Sequence, residues 1–254
     1  MLRTAALATL LVGCASNDQI APTSLEYDDL ALSVASTVAM PRGGGELGAF
    51  SDVVALAHGQ LPAGFTVAED GSVRGTHIGL GYSYHVVCRS AQGAPSASES
   101  RTGACGSTTD SVDAQVAWTG ALELPNTGME FDRTGLWALS GLTQGIATAS
   151  GTATLAYDSR IANPDRGTVS TYHLAYDATY DGVAYDTVQL VALGGDIHYM
   201  IAVDRHETDG HSDSTRHYDV DATITLNGDG TATVDLDGAH QYKLTLATST
   251  VVRI

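Results

Sequence analysis

The residues best suited to chemistry crowd into one stretch, Asp204-Arg205-His206-Glu207-Thr208-Asp209-Gly210-His211-Ser212-Asp213-Ser214-Thr215-Arg216-His217. Three imidazoles and four carboxylates stand close together there, and zinc takes both donor types. His206, His211, His217 and Asp209 are the candidate metal ligands. The zincin motif places two histidines four apart on a helix, whereas His206 and His211 are five apart with Gly210 between them, so a solvated hairpin loop is the preferred reading of the stretch. Asn227-Gly228-Asp229-Gly230 faintly suggests a calcium loop, but Thr225 and Leu236 stand where the EF-hand needs its first Asp and its bidentate Glu. Neither stretch is assigned a metal, and no cofactor is implied. Tyr172, Tyr176 and Tyr180 form a row of one parity that could line a ligand site or belong to a sheet core. No G-x-S-x-G elbow, Ser-x-x-Lys pair or phosphate-binding glycine loop occurs. Paired carboxylates for glycoside hydrolysis stay open, because their spacing is set by the fold.

Cys88 and Cys105 could be a reactive pair, but no motif surrounds them. With Cys14 otherwise engaged, as argued next, they form an even pair for which a disulfide is the default in an oxidising compartment. Closing a loop of about 15 residues contributes roughly 3 kcal/mol in the chain-entropy model.

The chain opens Met1-Leu-Arg-Thr-Ala-Ala-Leu-Ala-Thr-Leu-Leu-Val-Gly-Cys14. Arg3 precedes the apolar run Ala5 to Val12, which is too short for a bilayer span of about 20 residues and suits a signal core. Leu11-Val12-Gly13-Cys14 resembles the lipobox of bacterial lipoproteins. That resemblance covers the leader alone. It implies cleavage before Cys14, acylation of Cys14 and tethering to a membrane of the cell envelope. Ala15, where Asp would hold an enterobacterial lipoprotein at the inner membrane, favours the outer membrane.

The formal charge is −17, from 12 Lys+Arg against 29 Asp+Glu, and losing the leader removes Arg3 and no acid. Such a balance argues against nucleic acid and against adsorption to anionic headgroups. Lys243 is the only lysine, which leaves little scope for lysine chemistry.

The elements that must position these residues divide into expected segments at 1–13 (signal), 14–22 (lipidated Cys and tether), 23–62 (helical) and 63–254 (antiparallel β domain). Thr23-Ser-Leu-Glu26 fits a capping box, and the apolar spacing that follows predicts a helix from about Ser24 to Met40. A second helix is predicted over Glu46 to His58, with Leu47, Phe50, Val54 and Ala57 on one face. The period then becomes two. His77 to Arg89 reads as one strand and Val112 to Trp118 as the next, paired in a hairpin. Tyr172 to Tyr180, Val188 to Ala192, Ile197 to Val203, Val220 to Leu226, Ala232 to Leu236 and Tyr242 to Leu246 follow, with turns expected at Asp181-Gly182, Gly194-Gly195, Asn227–Gly230 and Asp237-Gly238. The expected fold is therefore mainly β, an antiparallel meander of roughly ten strands, barrel-like or sandwiched, behind one or two N-terminal helices. The expected function is a non-enzymatic envelope scaffold or binding module. A carrier of an apolar ligand and an envelope hydrolase are the alternatives, with an envelope protein as partner in the first case.

Overall fold

In the computed structural model, the described residues are 21–39, 45–77, 79–91, 105–106, 108–124, 127–163 and 167–254. Cys14 lies outside them.

The chain is mainly β. Helices α1 (Ser24–Val38) and α2 (Gly45–Ala57) precede β1 (Thr66–Val67), β2 (Val73–His77), β3 (Leu80–Ser90), β4 (Thr109–Leu124), β5 (Thr127–Ser140), β6 (Ile146–Asn163), β7 (Thr168–Asp186), β8 (Val191–Thr208), β9 (Asp213–Leu226), β10 (Thr231–Leu236), β11 (His240–Thr245) and β12 (Thr250–Arg253). Each strand pairs antiparallel with the next, giving one twelve-stranded sheet in sequence order. The sheet stays open, with β1 and β12 as its edges.

Strict alternation makes this sheet two-faced. On β8, Ile197, Tyr199, Ile201 and Val203 are buried, while His198, Met200 and Asp204 face water. The buried parity of every long strand points to one concave side, where α1 and α2 lie. Both helices share a single apolar core with the sheet, including Leu30, Val34, Phe50 and Val54 from the helices and Tyr84, Trp137, Tyr180 and Ile224 from the strands. The Thr23 cap forms as its spacing predicts: Thr23 N–H donates to Glu26 Oε2 at 2.7 Å and Glu26 N–H to Thr23 Oγ1 at 3.3 Å.

Several local readings are corrected. The run from His77 to Arg89 is two strands, because Gly79, at φ +83°, turns the chain between β2 and β3. Asp181-Gly182 and Gly194-Gly195 are not turns. They face each other inside β7 and β8, where the register shifts between Asp181 and Ala184, and the turn instead falls at Thr187–Leu190. There Asp186 Oδ1 accepts from the backbone N–H groups of Val188 and Gln189 at 2.8 and 2.7 Å. Strands β5 and β6 carry no predicted counterpart, and Leu136 and Ile146 on their water-facing side blur the apolar parity.

Such bulges bend a strand and increase local twist, which lets a wide sheet curl around two helices. Gly195, at φ +99°, has no room for a side chain: a Cβ there would lie 2.6 Å from Val183 Cα. Gly210, at φ +81°, has open space around it. Both substitutions to Ala carry the cost of positive φ, so their difference reports the close approach alone. Gly195→Ala should destabilise by about 2 kcal/mol or more and exceed Gly210→Ala by at least ~1 kcal/mol in chemical denaturation. Equal losses would show that the bulge tolerates a side chain.

Candidate functional site

The chain has 11 tyrosines. All but the half-buried Tyr172 are buried. Their rings fill the space under the helices, and their hydroxyls supply the polar contacts between the two layers. On α1, Asp28 accepts from Tyr242 Oη at 2.7 Å, Asp29 accepts from Tyr172 Oη at 3.2 Å, and Ser33 Oγ meets Tyr176 Oη at 2.6 Å. From α1 itself, Tyr27 Oη donates to Asp237 Oδ2 at 2.7 Å. On α2, Asp52 accepts from Tyr84 Oη at 2.7 Å, Gly45 N–H donates to Tyr82 Oη at 3.3 Å, and Ser51 pairs with Tyr185.

Two clusters of charge lie under the same helices. In the first, Glu46 at the start of α2 meets Arg133 of β5, with Nη2 to Oε1 at 2.6 Å and both side chains 1 % exposed. The Arg133 guanidinium sits 4.2 Å from the Trp118 ring centroid and 5.6 Å from that of Trp137, a cation–π cage. Its Nη2 donates to Tyr180 Oη. Burial lifts the Glu46 carboxyl above its ordinary range, against the opposing pull of Arg133 and of the Tyr180 and Tyr199 hydroxyls. Burial presses Arg133 downward, but Glu46 and the two tyrosines more than offset it, so the guanidinium stays charged. So buried a pair acts as a fastener between α2 and β5.

The second cluster is at the start of α1. Glu26, 3 % exposed, faces Arg216 Nη1 at 3.1 Å and Arg205 Nη1 at 3.6 Å. Arg205 also pairs with Glu207 and donates through Nε to Tyr172 Oη at 3.1 Å. Arg216 Nη2 donates to Ala21 O at 2.9 Å, tying down the chain as it enters α1. Beside this cluster, α1 and the inner faces of β6, β7 and β9 enclose a cleft of about 310 Å³, lined among others by Leu30, Leu32, Leu174, Tyr157 and Tyr218.

The residues singled out in the sequence have diverse fates. Tyr172 lines the cleft, Tyr176 contacts Ser33 of α1, and Tyr180 belongs to the Arg133 cage. His206 and His217 stand on the outer, water-facing side of β8 and β9. His217 Nδ1 lies 2.7 Å from Asp204 Oδ1, and His206 Nδ1 lies 3.3 Å from Thr215 Oγ1. Asp209 and His211 occupy the connecting turn, where Asp209 Oδ1 accepts from His211 N–H at 2.8 Å and Ser212 N–H at 2.6 Å. Those bonds hold its carboxyl below the ordinary range. Among the described residues, no group of three or more His, Cys, Asp or Glu could hold a metal. Cys88 and Cys105 are buried and disulfide-bonded, with Cα atoms 5.8 Å apart.

Sequence reasoning missed both charge clusters. The signal was present as charges on the apolar parity: Arg133 between Phe131 and Trp137, Arg205 after Ile201 and Val203, Arg216 before Tyr218 and Val220.

No protein-family model, curated protein or solved structure matches this chain.

Removing one member of a buried pair strands the other charge. Glu46→Met and Arg133→Met should each cost about 3–5 kcal/mol, and the double variant should cost clearly less than their sum. Additive losses in denaturant titrations would contradict a coupled pair. The tyrosines supply a second test. Every one has its folded pKa raised above 10.0, with burial the leading cause, to about 12 for Tyr27, Tyr82 and Tyr185. A raised pKa means that the fold favours the neutral phenol. That stabilisation is complete below the unfolded value and is lost as pH rises through the folded values. Tyrosinate absorbance should therefore lag that of the denatured chain and rise together with loss of the native circular dichroism. Ionisation near the free-tyrosine midpoint with the fold intact would contradict these assignments.

Proposed function

We propose that this chain is a non-enzymatic binding module of the bacterial cell envelope, lipid-anchored through Cys14 at the outer rather than the inner membrane. The observation that carries the binding-module reading is the filled concave face. A carrier built as a β-barrel keeps its apolar parity around a lumen. Here that space is taken by α1, α2, ten buried tyrosines and the Glu46–Arg133 pair, which leaves recognition to the surfaces and to the cleft beside α1. The hydrolase reading has less support, because Glu46, whose carboxyl is lifted above its ordinary range by burial, is sealed from solvent.

The anchor reading draws on the leader, and the anionic composition fits it: a surface that anionic headgroups repel needs a covalent tether to remain at a membrane. Arg216 fastens the chain at Ala21, seven residues after Cys14, so a tethered molecule would hold the start of α1 near the bilayer. An envelope protein is the proposed partner.

Expression of the full chain in a Gram-negative host should place it in the membrane fraction, with diacylglyceryl mass on Cys14. Cys14→Ser should release it to the soluble periplasm, and cross-linking of the anchored form in intact cells should give a discrete adduct with an envelope protein. A Cys14→Ser chain that fractionates like the parent would remove the anchor. An anchored chain that turns over a substrate would remove the non-enzymatic reading.

A further inference from the structure

The cleft beside α1 combines an apolar slot with a buried hydroxyl that lacks a partner. Leu30, Leu174 and the Tyr157 ring form its walls, and Leu32, 56 % exposed, stands at its mouth. At about 310 Å³ it falls at the small end of ligand pockets, roughly 300–1,000 Å³. Tyr218 lines it and is 1 % exposed, yet its hydroxyl has no hydrogen-bond partner among the described residues. Glu26 lines it too, with its Oε1 facing Arg205 Nη1 at 3.6 Å. Burial and the Glu26 charge raise the Tyr218 phenol well above its ordinary range, so it is a neutral O–H donor. Buried polar atoms left without a partner cost stability unless something satisfies them.

Charge narrows what that something is. Glu26 and Asp29 of α1 and Glu207 of β8 face Arg205 and Arg216. Three carboxylates against two guanidinium groups leave an excess of negative charge, which disfavours an anionic head. Both arginines are already engaged, and Arg216 stands against Glu26, which disfavours a cationic head at the same carboxylate.

We propose that this cleft binds a small uncharged amphiphile, with an acyl body in the apolar slot and an ester head at Tyr218. Tyr218 Oη donates to a carbonyl or ether oxygen of the head. The inference rests on the binding-module reading and names a ligand class for it. Its test does not involve the anchor or a protein partner, so either can fail alone.

The full-length Cys14→Ser chain, purified without detergent, would be titrated calorimetrically with monooctanoylglycerol, octanoate and octyltrimethylammonium. Saturable binding of the uncharged probe is expected, at least ~10-fold tighter than either charged probe. Tyr218→Phe should weaken it about 10-fold while leaving Tm unchanged or higher, because the lost hydroxyl has no protein partner. A merely structural tyrosine would lower Tm instead. Ser36→Phe, which fills the slot from the half-buried side of α1, should abolish binding with the fold intact. The proposal is overturned if the folded chain gives no saturable heat with monooctanoylglycerol, if binding survives both substitutions, or if octanoate binds more tightly.

Discussion

Everything in this molecule hangs on how two helices are held inside an open sheet, and the decisive link is the Glu46–Arg133 pair. Desolvating two charges is expensive, and their attraction repays that cost only with good geometry and further partners. Here the partners are the Trp118 and Trp137 rings and the Tyr180 hydroxyl. Apolar contact alone would let α2 slide or rotate on a greasy floor. A charge that finds its counter-charge at one point of β5 fixes both position and rotation. The same device recurs at the start of α1, where Glu26 caps the helix and also accepts Arg216 and Arg205.

Between these anchors the tyrosines act as adjustable posts. Each ring buries apolar area, and many carry a hydroxyl to a polar side chain on the upper layer, as Tyr84 does to Asp52 and Tyr242 to Asp28. Antiparallel pairing between sequence neighbours keeps the topology simple, and bulges at Gly151 and at Gly195 supply the curl. The outer face, rich in Thr and Asp, is left to solvent. With the concave face occupied, the α1 cleft is where a buried hydroxyl without a partner, that of Tyr218, lies beside an apolar slot, and the ligand proposal rests there.

The meander was legible because alternation and turn chemistry agree along β9 to β11: Val220, Ala222, Ile224 and Leu226 point inward, and Asn227–Gly230 and Asp237-Gly238 turn the chain. Both helices were legible from the Thr23 cap and the Phe50, Val54 and Ala57 stripe. Glycine pairs misled, since Gly194-Gly195 has the composition of a turn and serves as a bulge. The candidate site was hardly legible. Glu26 reads as a cap, and the apolar parity of Arg133, Arg205 and Arg216 does not say which carboxylate each meets, because only the three-dimensional fold brings Arg133 to Glu46 under α2 and Arg205 and Arg216 to Glu26 under α1. The histidine-rich stretch drew attention by density alone: His206 and His217 meet Thr215 and Asp204 on the outer face, while Asp209 is taken up by backbone N–H groups of its own turn.

Native-state hydrogen exchange of individual amides tests the central claim most directly, that buried ion pairs and tyrosine hydroxyls lock α1 and α2 into the sheet. The account predicts that the core amides of α1 and α2 exchange only through the same global opening as those of β5, β7 and β8, with matching denaturant dependence. Exchange of the helical amides through a separate, lower-energy opening, with the sheet still protected, would mean that the helices rest on the sheet without being fastened to it, and the account would be wrong.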